Sequence, residues 1–101
     1  MSVKAKIPAT LPPKDPFDVA ITNTANTPAT VDVTVTVTPK GKTAQKRSFS
    51  LDGAPKAQTQ KAPVPSNDEE SFTISDWGDS AQGDTVVVNA GDAPPAKGTV
   101  L

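Results

Sequence analysis

The side chains that carry most enzymatic chemistry are missing, because the 101 residues contain no His and no Cys. That removes the commonest general base, the thiolate nucleophile and the commonest transition-metal ligands. Carboxylates remain. Asp68, Glu69 and Glu70 form one acidic run, and Asp76, Asp79 and Asp84, beside Gly78 and Gly83, form another. Paired carboxylates perform acid–base catalysis, and hard oxygen ligands collect calcium. Here, however, the first run sits at a strand entry and the second in a turn, where acidic residues are ordinary, and the spacing does not fit the twelve-residue calcium loop. No glycine-rich phosphate cradle precedes a helix, because no helical period exists. The expectation is a protein that is not an enzyme, with no catalytic residues, no cofactor and no metal site. Trp77, the single tryptophan, is expected inside the core.

The chain is organised around Thr30 to Pro39, TVDVTVTVTP, where Val31, Val33, Val35 and Val37 alternate with Asp32, Thr34, Thr36 and Thr38. This is the period of a strand with one face buried and one in water. Valine and threonine also lose χ1 freedom on a helix and suit a pleated surface. Phe17, Val19 and Ile21 alternate in the same way before the turn-forming run Asn23 to Pro28, so residues 17–23 and 29–38 are predicted to form an antiparallel hairpin. Phe49 and Leu51, then Phe72 and Ile74, continue the inward set. Thr85 to Asn89 lacks polar alternation, which predicts a strand covered on both faces, and Lys97 to Leu101 offers a last short strand or a tail. Between them, Asp52 to Asn67 carries three prolines and no period. It is predicted to be a long loop at 52–67, with a short extended piece near Ala57 to Thr59, and either functional or the route by which the chain changes sheets.

Residues 1–16 contain Pro8, Pro12, Pro13 and Pro16, which push their predecessors out of the α region. They are predicted to be an extended proline-rich arm or edge strand, with Val3, Ala5 and Ile7 alternating against Lys4 and Lys6. Residues 17–101 then form a single domain. The fold class is all-β: an immunoglobulin-like antiparallel β-sandwich of six to seven short strands with an extended Pro-rich N-terminal arm.

The run Val19 to Val31, VAITNTANTPATV, followed by Glu70-Ser71-Phe72-Thr73-Ile74 and Gly83-Asp84-Thr85-Val86-Val87-Val88, resembles bacterial and archaeal surface-repeat sandwiches of the CARDB and DUF11 type. In those domains a strand ends in an Asn-Thr-Gly-Asn turn and returns as a Val/Thr-rich strand, and a later Gly-Asp turn enters a final strand. The resemblance implies the sandwich fold. Ala25 stands where those repeats usually carry glycine, and a single copy is present.

The net charge of −1 gives no reason to expect nucleic acid. MSVKAKIPAT has lysines but no apolar run behind them, so no signal peptide is expected, and no run of about 18 apolar residues is available to span a membrane. The charges are unevenly placed: Lys40, Lys42, Lys46, Arg47, Lys56 and Lys61 precede Asp68, Glu69, Glu70, Asp76, Asp79, Asp84 and Asp92. Either the blocks neutralise each other across neighbouring strands, or they register many copies of the chain. The expected function is a non-enzymatic structural or interaction protein whose partner is a protein in a larger assembly, a capsid shell or sister copies, with a homo-oligomer among the options. Its most concrete form is a decoration protein on the surface of a phage or virus-like particle. The alternative is a cell-surface adhesion or carbohydrate-associated module cut from a longer secreted protein. The expected partner contacts are Val3, Ile7, Leu11, Pro12 and Pro13, because an arm prestiffened by proline loses little freedom when it docks.

Overall fold

Wherever one parity of a segment is apolar, the chain forms a strand with that parity turned inward. A computed structural model describes residues 3–101, so residues 1 and 2 of the expected arm lie outside the described residues. In β4 (Ala29–Thr38), Val31, Val33, Val35 and Val37 are buried, while Asp32 is exposed and Thr34, Thr36 and Thr38 are half-buried. The same alternation buries Phe17, Val19 and Ile21 in β3 (Phe17–Asn23) and Phe72 and Ile74 in β8 (Asp68–Ser75). In β9 (Thr85–Ala90) it buries Val86, Val88 and Ala90. Val87 is only half-buried, between Thr36 of β4 and Lys97, so this strand is covered on one face and not on both as predicted.

The chain is an all-β sandwich of two sheets. The remaining strands are β1 (Val3–Lys6), β2 (Thr10–Leu11), β5 (Gln45–Arg47), β6 (Ser50–Leu51), β7 (Gln60–Val64) and β10 (Ala96–Val100). One sheet has the order β1-β3-β8-β6, and the other has β2-β10-β9-β4-β5 with β7 also on β4. Pairing is antiparallel throughout the described strands except where β2 runs parallel to β10. A first strand that begins in one sheet and continues beside the last strand of the other is an immunoglobulin-like arrangement.

The predicted hairpin of residues 17–23 and 29–38 does not form. β3 pairs with β1 and β8, and β4 pairs with β5, β7 and β9, so the two lie in opposite sheets. In a hairpin their apolar faces would lie side by side with nothing above them, whereas in opposite layers each covers the other. Asn23, 1% exposed, fixes the crossing. Its side-chain amide donates to the carbonyls of Thr27, Val64 and Pro65, and its Oδ1 accepts from the Ala25 N–H.

The stretch 52–67 is more structured than its composition predicts. Phe49 and Ala57 exchange backbone hydrogen bonds of 3.0 Å, and residues 60–64 form β7, pairing Ala29–Val33 of β4 from Val64 back to Gln60. Pro63 is tolerated because β7 is an edge strand and needs no N–H on its open side. The buried Gln60 side chain holds the loop closed, donating to the carbonyls of Phe49 at 2.7 Å and Pro55 at 2.8 Å.

Val33 and Val35 are fully buried in the centre of this core. Val35→Ala is expected to lower unfolding stability by about 1 to 3 kcal/mol, through lost methyl burial and a residual void. Thr34→Ala, one residue away on the outer face, is expected to change the denaturation midpoint little.

Candidate interaction surface

The proline-rich arm is the segment that the sequence marks for partner binding, and the structure seats most of it on the sandwich itself. β1 pairs with β3 from Val3 opposite Asn23 to Lys6 opposite Ala20. Val3 and Ala5 are half-buried against the core, while Lys4 and Lys6 point outward. The chain then crosses to the other sheet, where Ile7 is 7% exposed and Leu11 fully buried. β2 and the residue before it are held by N–H groups at the end of the chain: Thr99 of β10 donates to the Ala9 carbonyl and Leu101, just past β10, to the Leu11 carbonyl, both at 2.9 Å. Of the expected partner contacts, Ile7 and Leu11 are therefore core residues of their own chain. Pro12 and Pro13 are exposed. An arm independent of the domain would leave two apolar side chains in water, and folding back buries them along the open seam between the sheets.

Gly98 makes that seat. It replaces an apolar side chain in the buried parity Ala96, Gly98, Val100 of β10. A Cβ there would lie 2.7 Å from the Pro8 carbonyl oxygen and within 3.3 Å of the Leu11 side chain. Only the absence of a side chain lets the arm approach this closely.

The end of the arm is fastened to the acidic turn. The Trp77 indole is fully buried and packs edge-on to Phe17 with ring centroids 5.5 Å apart. Its N–H donates to the Asp15 carbonyl at 2.9 Å. The Lys14 N–H donates to the Ser80 hydroxyl oxygen, and the Lys14 ammonium pairs with Asp79 at 3.2 Å. From the basic middle of the chain, the Arg47 guanidinium donates to the carbonyls of Asp79 at 2.8 Å and Trp77 at 3.3 Å. Gly78 makes room for it, since a Cβ there would lie 2.5 Å from Nη1.

The carboxylates weighed for calcium are spread over separate tasks. Asp84, 6% exposed, accepts the Lys40 N–H on Oδ1 and the Ala81 N–H on Oδ2. Asp79 faces solvent beside Lys14, and Asp76 is exposed at φ +53°. No group of three acidic residues able to hold a metal ion occurs among the described residues. In the other run, Glu69 accepts a hydrogen bond from the Thr22 hydroxyl on the outer face of the first sheet. Beside it an open groove of 340 Å³ is lined by Lys4, Ala5, Lys6, Ala20, Thr22 and Glu69.

No protein-family model and no curated protein matches this sequence. Sequence reasoning passed over Gly98, Asn23 and Gln60, and it weighed Asp84 as a calcium ligand rather than as a buried acceptor of two backbone N–H groups. Gly98 was signalled by the interrupted alternation of the last strand. Asn23 continues the inward parity of Phe17, Val19 and Ile21, and Asp84 shares the parity of Val86 and Val88, so alternation carried a signal for both that their polarity masked; Gln60 had none.

Leu11→Ala is expected to cost about 2 to 5 kcal/mol in chemical denaturation, the range of a buried leucine truncation. A surface arm would give almost no change. Asp84→Ala leaves the N–H groups of Lys40 and Ala81 without their acceptor and is expected to cost about 1 to 3 kcal/mol. Because both Asp84 oxygens already serve those donors, adding millimolar calcium to the parent protein is expected to leave its melting temperature unchanged.

Proposed function

We propose that the protein is a non-enzymatic structural module that joins a larger protein assembly, and most concretely a decoration protein on the outside of a phage or virus-like particle shell. The observation that carries the reading is the edge strand β1. It is bonded to β3 on one side, and among the described strands nothing pairs with its other side. An extended segment of a partner can add there and satisfy the free N–H and C=O groups. Lys4 and Lys6 stand along this edge and make it selective for an acidic strand. They also discourage a second β1 from pairing with it, because like charges would then line up.

Supporting features surround that edge. The outer face of the second sheet is polar, with Thr34, Thr36, Thr38, Thr85 and Thr99 on adjacent strands. Such a face stays in water while an edge or end docks. No helix among the described residues is long and apolar enough to cross a membrane.

Co-sedimentation with empty shells of candidate phage and virus-like particles tests the reading. The parent protein is expected to pellet with shells at low salt and progressively less as salt rises. The Lys4→Glu/Lys6→Glu variant is expected to keep its melting temperature and lose shell binding. Equal binding by that variant, or no pelleting of the parent protein, overturns the proposal.

A further inference from the structure

We propose that the N-terminal arm, residues 3–11, exchanges between copies, so that a sister chain's Ile7 and Leu11 fill the seat at Gly98 and link neighbouring modules. The inference rests on the reading of the protein as an assembly module and names its second partner, another copy of this chain.

The first support is the character of the seat. The arm is held by strand pairing to β3 and β10, by the close approach at Gly98 and by burial of two apolar side chains. None of these contacts depends on which chain supplies the arm. A sister arm of identical sequence makes them equally well, so exchange conserves the whole interface.

The second is the linker, Pro12-Pro13-Lys14-Asp15-Pro16. Leu11, Pro12 and Asp15 each precede a proline and are biased toward extended backbone. The closed form nevertheless needs a turn here, and it is made by Lys14 at φ +62°, a left-handed conformation that a residue with a Cβ resists. Straightening the linker relieves Lys14 and follows the preference of the prolines, against the loss of the exposed Lys14 contacts to Ser80 and Asp79. Short linkers held against their own preference favour exchange. Fully extended, residues 12–14, those ahead of the Asp15 anchor, reach roughly 10 Å at about 3.3–3.6 Å per residue, which sets how near the sister module must stand.

The third is the anchor. The Trp77 N–H holds the Asp15 carbonyl, so opening stops at the linker and leaves β3 and the Phe17–Trp77 contact in place. The arm swings as a unit and the sandwich does not unravel.

The absence of cysteine makes a clean test, because introduced thiols are the only ones present. Thr10 and Thr99 are register partners across the β2–β10 pair, and both are exposed. Thr10→Cys chains are mixed with Thr99→Cys chains, unfolded, refolded together at high concentration and oxidised. The expected result is a disulfide-linked heterodimer well above that from Thr43→Cys with Thr99→Cys, where Thr43 is an exposed loop residue that does not pair with β10. Lys14→Gly, which relaxes the closed turn without touching the seat, is expected to lower the yield several-fold. In parallel, native mass spectrometry of the unmodified chain refolded the same way is expected to show a dimer that survives dilution, since separation requires both arms to leave their seats. Cross-linking at the level of the Thr43→Cys control, or a monomer at every concentration, overturns the exchange. Shell binding by the unmodified chain separates the two ideas. Binding without an inter-chain link overturns exchange and leaves the particle reading standing, whereas linked copies that ignore shells do the reverse.

Discussion

The fold depends on one constraint: each sheet has a single apolar face, and neither face can stay in water. Val19, Ile21, Phe72 and Ile74 on one layer and Val31, Val33, Val35, Val37, Val86 and Val88 on the other belong to a single buried cluster. Apolar burial is the dominant favourable contribution to folding and scales with the area removed from water. With no disulfides to limit the unfolded chain, this mutual covering must carry the domain. It explains why β3 and β4, neighbours in sequence, separate into opposite layers, and why the crossing turn is held by the buried amide of Asn23 rather than by a ladder of strand bonds.

A two-layer sandwich remains open where its first and last strands meet. Here the seam is closed by the arm, which leaves one sheet after Lys6, buries Ile7 and Leu11, and runs parallel to β10 in the other sheet. The stabilising segment is thus the one joined to the rest by the most reluctant backbone, a proline-rich linker with Lys14 in a left-handed conformation.

Alternation told which side chains point inward, and it did so for nearly every strand, because a period of two is a direct reading of pleat geometry. It could not tell which strand lies beside which. Facing and pairing are separate properties, and a turn-rich loop such as Asn23 to Pro28 serves a hairpin or a crossing equally well. β7 escaped notice because Pro63 reads as a breaker and Gln60 as surface, although the first sits on an edge where its missing N–H does no harm and the second is buried with two carbonyl partners. The arm was recognised as extended and apolar at intervals. Its placement was not legible, since an apolar residue every fourth position describes a docked segment without saying on which molecule it docks.

The same ambiguity is physical as well as interpretive. An edge strand that completes its own sheet presents the groups needed to complete another, and proteins restrain this with charges, prolines or short strands. This chain uses all three: lysines on β1, prolines at the linker and in β7, and only two residues in β2. Those devices oppose indiscriminate pairing and leave selective pairing open. Lys4 and Lys6 repel a like edge while admitting an acidic one, and the Gly98 seat admits a segment shaped like the arm. The features that discourage indiscriminate edge pairing are therefore the ones on which any selective pairing would have to rest.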